Sequence, residues 1–452
     1  MRARRDRGNN FIQILGLVQL FLAYRVLRCA SSACEPKRVM RPKIILDCDP
    51  AGYVLTGLDV DDDLTILNAL SLHKRGIIEI LGVTITGGNA PIDYTYPNAL
   101  ALIRRRAGIP ESEVGIYRGG IPLVSTSFQY QSNFDILNVS RVPQSDATIF
   151  LIETVLNSPQ RSITILSIGP LTNLASAFLI EPQIAKRVNK VVFMGGTLTS
   201  GLPYDLNIRT DPVAAAIVWN YMDCLKNALP IETCIQAVFG SRSLEEVEKE
   251  CRPKRSNIGH SMTPPIICSL LWRMKIQRHV MPWFVNSRFS SVTKEDKSPW
   301  IDEGFVLWDL VALWAVVRPQ LFSQWTYYNA TVLPSSESEL SWRSGLTIQA
   351  RKDDSVSLDD LSMEEFFSNM TSMYSIGNKG RILVPLKIKD ERVLQGRIME
   401  HLYLPHADSF RDSKPIMPYR ASLGSLPRII VTIVGLVLVS FILKWSRDPI
   451  GR

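Results

Sequence analysis

Carboxylates are concentrated in one short stretch near the start of this 452-residue sequence. Asp47 and Asp49 follow a run of three apolar residues, and Asp61, Asp62 and Asp63 open an apolar segment with helical periodicity. Because side chains two apart on a strand point to the same side, the first two acids can face one site. Such crowded carboxylates repel unless a cation intervenes, and oxygen ligands suit Ca²⁺ or Mg²⁺. The stretch predicts a metal site, although a solvated loop with helix-capping aspartates would explain part of it.

The elements that must position these acids alternate along the chain. Runs rich in Ile and Val end in turn residues and are separated by helical stretches, such as Leu64 to Leu70. The runs are 43–46, 77–85, 163–168 and 191–194. This alternation predicts an α/β fold with a Rossmann-like, mostly parallel sheet flanked by helices. In such a sheet, binding groups gather beyond the carboxyl ends of the strands. Segments 125–145, 240–300 and 350–375 are irregular and predict insertions or surface loops.

The charge of the chain is unevenly distributed. The net charge is +8 with a pI near 9.1, yet residues 1–43 hold ten basic residues against two acidic ones. The end of the chain, from Leu426, is also basic, so the body between the two ends is slightly acidic. This distribution argues against a nucleic-acid partner, which requires a basic face on the folded domain.

Both ends of the chain predict contact with a membrane. The chain starts with an Arg-rich stretch, which is followed by an apolar run from Phe11 to Tyr24 and by small residues up to Ala33. This order is typical of a signal peptide, which we assign to residues 1–30. The alternative is an anchor that is not cleaved. The uncharged run from Ile429 to Leu443 is 15 residues long, or about 22 Å as a helix. We predict a transmembrane helix over 429–445. A glycolipid-anchor signal fits less well because basic residues follow the run.

These ends predict a single-pass type I membrane protein. A juxtamembrane linker over 411–428 precedes the membrane helix, a short cytoplasmic tail over 446–452 follows it, and the catalytic domain lies outside the cell or in the secretory lumen. Three glycosylation acceptors agree with that placement: Asn138, Asn329 and Asn369. Four body cysteines can form up to two disulfides whose pairing the sequence leaves open: Cys224, Cys234, Cys251 and Cys268.

The acidic stretch also resembles a known family. Asp47-Cys48-Asp49-Pro50-Ala51-Gly52, followed by Asp59-Val60-Asp61-Asp62-Asp63, is similar to the N-terminal signature of the inosine-uridine preferring nucleoside hydrolases, which are calcium-dependent N-ribohydrolases. Further similar pieces follow in the family's order: 86–89, 168–173, 192–196, 205–212, 308–312 and 344–347. The resemblance covers about 43–404 and implies a nucleoside hydrolase-like domain over 43–410.

The resemblance implies Ca²⁺ as cofactor and a set of metal ligands. Asp49 matches the carboxylate that binds the metal and acts as general base toward its water. Asp62, Asp309 and the backbone carbonyl of Ile168 match the other ligands, and Asp47 matches an acid that supports them. Because Asp61 to Asp63 form a triplet, the register could slip by one residue. We prefer Asp61 and Asp62 because the following helix then aligns without a gap.

The resemblance also implies a ribonucleoside substrate, purine or pyrimidine, cleaved by water to ribose and free base. Asp61, Asn89 and Asn207 match residues that bind the ribose hydroxyls, and Met194 matches a residue beneath the sugar. Asp205 stands where the family commonly has Glu, which shortens its reach toward the ribose 5′-hydroxyl. Negative groups near the sugar suit the reaction because positive charge develops on the ribose.

The leaving-group side departs from the family. Trp308 replaces the histidine that often precedes the last metal aspartate, and Trp cannot act as an acid near neutral pH. It can stack on a base or simply fill core. His260 and His279 are candidate acids, although unplaced surface histidines are the plainer interpretation. A non-catalytic or altered-ligand member of the family is therefore the alternative to an active hydrolase.

A third interpretation is a phosphatase of the haloacid dehalogenase type, since Asp47-x-Asp49 after a strand also opens that fold. Ala51 stands where that motif usually has Thr or Val, and no later Gly-Asp-x-x-x-Asp element is present. The expected partners are a small-molecule nucleoside and, through the C-terminal helix, a membrane. The sequence leaves a homo-oligomer open.

Overall fold

The structure is a computed structural model that describes residues 41–52, 60–123, 142, 144–196, 198, 205–252, 267–268, 270–275, 304–332, 346–353 and 381–402. The chain divides into two units, Met1–Pro405 and His406–Arg452, and these residues all lie in the first. The predicted signal peptide, linker, membrane helix and tail lie outside the described residues. Within the described part, no helix is both long and apolar enough to cross a membrane.

The described strands form a large and a small sheet. Their bounds are β1 Lys43–Cys48, β2 Glu79–Ile85, β3 Gly115–Arg118, β4 Ile163–Ser167, β5 Lys190–Met194, β6 Lys226–Leu229, β7 Val238–Phe239, β8 Phe305–Val306, β9 Phe322–Val332, β10 Leu346–Asp353 and β11 Arg381–Ile388. The large sheet has the order β10-β9-β11-β6-β5-β4-β1-β2-β3, and β7 pairs with β8 in the small one.

Helices connect most of these strands. Their bounds are α1 Asp61–Lys74, α2 Ile92–Leu100, α3 Asp146–Asn157, α4 Thr172–Ile180, α5 Ile184–Arg187, α6 Leu206–Thr210, α7 Pro212–Tyr221, α8 Ile231–Cys234, α9 Ser241–Cys251, α10 Trp308–Val317 and α11 Glu391–Glu400. A π-helical turn, Ala101–Arg106, continues α2, and a 3₁₀ turn, Pro319–Leu321, precedes β9.

The pairing of the strands confirms the predicted mostly parallel sheet flanked by helices. From β3 to β6 every neighbouring pair is parallel, and β11 joins β6 in parallel. Within the large sheet, the far edge is the only antiparallel part among the described strands, where β9 pairs with β11 and with β10. The order 3-2-1-4-5-6 reverses between β1 and β4. In open α/β sheets this switch point is where ligands bind, beyond the carboxyl ends of the strands.

The core lies on both faces of the sheet. Ile44 and Leu46 belong to one buried cluster with residues of α1, α10 and α11, whereas Ile45 belongs to another with residues of α3, α4 and α7. Alternate residues of β1 thus point to opposite faces, and burying each aliphatic side chain contributes roughly 1.5–3 kcal/mol. Trp314 of α10 donates its ring N–H to Asn68 of α1, whose amide donates to the carbonyl of Ile398 in α11. These bonds join three helices on one face.

The insertion predicted at 240–300 is partly helical. Cys251, at the end of α9, forms a disulfide with Cys268, which precedes the helical residues 270–275. Lys275 also forms a 2.7 Å ion pair with Glu248 of α9. The three other cysteines among the described residues, at 48, 224 and 234, are free and buried. The disulfide settles the pairing that the sequence left open for Cys251 and Cys268.

Candidate active site

Asp47 anchors the site at the switch point. It stands in register with Thr84 of β2 and with Ser167 of β4. Both hydroxyls donate to its carboxylate, at 2.6 and 3.1 Å, and Asn173 of α4 donates its amide at 2.9 Å. Burial raises the pKa of Asp47 to about 6, against the lowering effect of these hydrogen bonds. Asp47 therefore ties three elements together beneath the site.

Asp49 lies just beyond the end of β1 and is fully buried. Its backbone N–H donates to Asp62 at 3.0 Å, and its carboxylate accepts the backbone N–H of Asn89 at 2.5 Å. A Cβ atom added at Gly88 or at Gly169 would lie 2.1 or 2.5 Å from a carboxylate oxygen of Asp49. The loops after β2 and β4 therefore need glycine where they enclose this acid.

The acidic triplet divides into two roles at the start of α1. The carboxylate of Asp62 accepts the Asp49 N–H with one oxygen and the Asn89 side-chain amide, at 2.8 Å, with the other. Asp63 instead accepts the backbone N–H of Gly52 at 2.9 Å and the amide of Asn98 at 3.0 Å. Asp63 thus holds the loop after β1 against α2, whereas Asp62 faces Asp49 and Asn89.

Three carboxylates form a group that fits a divalent cation. Asp61, Asp62 and Asp309 each offer an oxygen, and these oxygens lie within 4.8 Å of one another. All three side chains are buried. Uncompensated carboxylates in such a group repel one another, and a hard cation with oxygen ligands relieves that repulsion. The three residues therefore suit a metal ion by their number, their charge and their ligand type. Asp49 lies next to this group because its backbone N–H donates to Asp62.

Asn207 links the loops after β4 and β5. Its side-chain amide donates to the carbonyl of Ile168 at 2.8 Å and to that of Met194 at 3.1 Å. Ile168 is the predicted carbonyl ligand, and Met194, 8% exposed, ends β5. These bonds bring the predicted sugar-binding residues Asn207 and Met194 beside the predicted metal ligand.

Asp205 caps α6 and is buried. One carboxylate oxygen accepts the N–H of Gly196 at 2.5 Å and the other accepts the N–H of Asn207 at 3.0 Å. Burial raises the pKa of Asp205 to about 6, these backbone hydrogen bonds lower it, and the charge of Glu232 raises it further.

Trp308 is the first residue of α10, directly before Asp309, and packs half-buried against the core cluster. His260, His279, Asn138 and Asn369 lie outside the described residues. Asn329 lies within β9, where it pairs with residues of β10 and β11. The roles predicted for these residues stay predictions.

The sequence left several site residues without a role. Asn173 and Asn98 donate to Asp47 and Asp63. Arg273 is 3% exposed; burial lowers the pKa of its guanidinium while the charge of Asp63 raises it. Asn173 could have been found because it opens the helix after β4, where the fold gathers polar groups. Arg273 lies in an insertion whose packing no local pattern reveals.

A Rossmann-ordered sheet with buried carboxylates near its switch point defines an α/β protein with a site whose ligands suit a metal ion. The family model for inosine-uridine preferring nucleoside hydrolases matches residues 44–391. The chain belongs to this family, which confirms the resemblance noted in the sequence.

The chain is also similar to individual proteins named as nucleoside hydrolases or nucleosidases. The chain is 30% identical over 190 residues to the pyrimidine-specific ribonucleoside hydrolase RihB of Escherichia coli, with 39% of this chain and 56% of the relative covered. It is 32% identical over 197 residues to the probable uridine nucleosidase 1 of Oryza sativa, with 40% and 56% covered. The chain thus spans little more than half the length of these curated relatives.

Solved structures share the fold. A plant nucleoside hydrolase superposes with a TM-score of 0.52 at 19% identity, covering 80% of this chain and 99% of that one. The purine-preferring ribonucleoside hydrolase from Gardnerella vaginalis gives 0.51 at 21% identity, with 80% and 98% covered.

Proposed function

We propose that the protein is a nucleoside N-ribohydrolase, which uses water to split a ribonucleoside into ribose and free base. The observation that carries the proposal is the buried group of Asp61, Asp62 and Asp309 beside Asp49. Ca²⁺ is the proposed metal, since it accepts many oxygen ligands in irregular geometry. When bound, the metal would acidify the attacking water.

The residues of the chain then perform distinct tasks. Asp49 accepts the proton of the attacking water as general base. Asp61, Asn89 and Asn207 hold the ribose hydroxyls and so fix the ring for attack. The carboxylates stabilise the positive charge that develops on the ribose as the base departs with the electron pair of the C1′–N bond and takes a proton from solvent. The proposed role of Trp308, which directly precedes Asp309, is to stack on the departing base.

An assay of the purified full-length chain tests this function. We expect calcium-dependent release of base from at least one of inosine, uridine, adenosine or guanosine. Asp49→Asn should lower kcat at least about a hundredfold, because it removes the general base. The control is Asp146→Asn, an exposed aspartate in the first turn of α3, which should keep full activity. A folded wild-type protein that binds nucleosides without releasing base would instead show a binding protein.

We further propose that the catalytic domain lies in an oxidising compartment, outside the cell or in the secretory lumen, and is carried by a single membrane helix. The disulfide Cys251–Cys268 supports this placement, since such bonds persist in oxidising compartments. Protease protection in sealed microsomes tests it. The domain should be protected until detergent opens the vesicles, and digestion of the domain in sealed vesicles would refute the proposal.

A further inference from the structure

A second carboxylate, Glu232, lies beside Asp205 at the carboxyl edge of the sheet. Glu232 belongs to the first turn of α8, which directly follows β6. Its charge acts on Asp205, and both carboxylates, together with Asp309, raise the pKa of the buried Cys234 thiol in addition to the larger effect of burial. The charges of three acids from three elements therefore act on one buried thiol.

The two carboxylates accept backbone N–H groups of the same turn. The N–H of Gly196 donates to Asp205 at 2.5 Å, and the N–H of Leu198 donates to Glu232 at 2.9 Å. The N–H of Ile231, which precedes Glu232, donates to the carbonyl of Gly196 at 3.0 Å. The turn after β5 is thereby fixed by α6 on one side and by α8 on the other.

The turn has little freedom to adjust. Gly195 and Gly196 adopt φ angles of 151° and 90°, which residues with a side chain rarely adopt. A Cβ atom at Gly195 would lie 2.7 Å from a carboxylate oxygen of Asp205. The position of the Asp205 carboxylate therefore depends on the turn, and the turn depends in part on Glu232.

Asp205 retains acceptor capacity for a substrate. A carboxylate has about four acceptor positions, and the backbone N–H groups of Gly196, Asn207 and Ile208 occupy three of them. We propose that Glu232 is a positioning residue for the 5′ end of the nucleoside: it fixes the turn through Leu198 and so holds Asp205 where that carboxylate accepts the ribose 5′-hydroxyl. This inference rests on the proposed function.

The test compares substrates with and without the 5′-hydroxyl. Glu232→Gln in the full-length chain should raise KM for inosine about tenfold, since it weakens a charge-assisted hydrogen bond, and change KM for 5′-deoxyinosine less than about twofold. The control is Glu245→Gln, at an exposed position of α9, which should change neither. Equal effects of Glu232→Gln on both substrates, or no effect on either, would overturn the inference.

Binding of a substrate analogue separates this inference from the proposed function. Formycin has a carbon–carbon glycosidic bond and is not hydrolysed, so its affinity can be measured by calorimetry without turnover. Glu232→Gln should weaken formycin binding about tenfold and leave 5′-deoxyformycin unchanged. An inactive wild type that shows this difference would refute the hydrolase function alone. Equal affinities of the variant and the wild type for formycin would refute the positioning role alone.

Discussion

The two edges of the parallel sheet bury charges of opposite sign. At the carboxyl edge, the loops and helices after the strands bury aspartates, among them Asp49, Asp62 and Asp309. At the amino edge, Lys190 and Lys226 are the first residues of β5 and β6, and each is 2% exposed. The molecule therefore buries a negative site near one edge of the sheet and two lysine side chains at the other.

Helix termini explain the difference. Helices begin beyond the carboxyl ends of parallel strands and end near their amino ends, so N–H groups face one edge and carbonyls face the other. Lys226 donates to the carbonyls of Met222 and Cys224, at 2.7 and 3.0 Å, just after α7 ends. At the opposite edge the Asp205 and Asp211 carboxylates accept backbone N–H groups at the starts of α6 and α7. The acids, unlike the lysines, also meet in a group that suits a cation.

The largest effect is expected from Asp309→Asn, which removes one charge from the acid group. Calcium at a hundred times its Kd should raise the free energy of unfolding of the wild type by about 2.7 kcal/mol. The variant should lose most of this gain and most of its activity. In the presence of a chelator the variant should instead be more stable than the wild type, because the variant has less repulsion among its carboxylates. Thermal unfolding in calcium and in chelator measures both effects, and a variant less stable than wild type in chelator would contradict the repulsion argument.

Lys190→Met tests the opposite edge through its pH dependence. Burial lowers the pKa of Lys190 to about 8, so the unfolded chain binds more protons than the folded one between about pH 8 and 10.5. Wild-type stability contributed by this group therefore rises with pH across that window. At pH 7 the variant should be more stable by about 3 kcal/mol at most. Urea unfolding at pH 7 and pH 9.5 should show this advantage shrinking, and an equal advantage at both pH values would refute the assignment.

Lys226→Met should have a smaller effect of opposite sign. The variant leaves the carbonyls of Met222 and Cys224 without the Lys226 donor in a buried position. Each lost partner destabilises by about 1–3 kcal/mol, offset by relief of the buried charge. We expect a net loss of about 1 kcal/mol in urea unfolding at pH 7. A stabilised Lys226→Met variant would show that the amino edge gains nothing from carbonyl pairing.

Much of the carboxyl edge could be predicted from the sequence. The Ile- and Val-rich runs correspond to β1, β2, β4 and β5, because buried parallel strands are hydrophobic on both faces. Because Asp47 and Asp49 follow such a run, the sequence alone predicts that they lie at the site. The antiparallel edge formed by β9, β10 and β11 was not predicted, since its pairing joins segments far apart in the chain.

The remaining features of the fold and the site depend on contacts between segments far apart in the chain, which the sequence alone does not reveal. Asp61, Asp62 and Asp63 are identical residues in a row, yet Asp63 has a different role because the backbone N–H of Gly52 and the amide of Asn98 donate to it. Glu232 resembles many helix-opening acids, and only the turn after β5 distinguishes it. The pairing of Cys251 with Cys268 likewise required the packing of the insertion.

That disulfide has a practical consequence for recombinant production. Two helical segments of the insertion are joined by the Cys251–Cys268 bond and by the ion pair of Lys275 with Glu248, and Arg273, the buried guanidinium near Asp63, belongs to the second segment. Synthesis in a reducing cytosol would remove the covalent link and leave that segment held by the exposed ion pair and by the burial of Leu270, Leu271 and Met274 in the core. Expression through an oxidising secretory route therefore preserves the covalent link between the two segments.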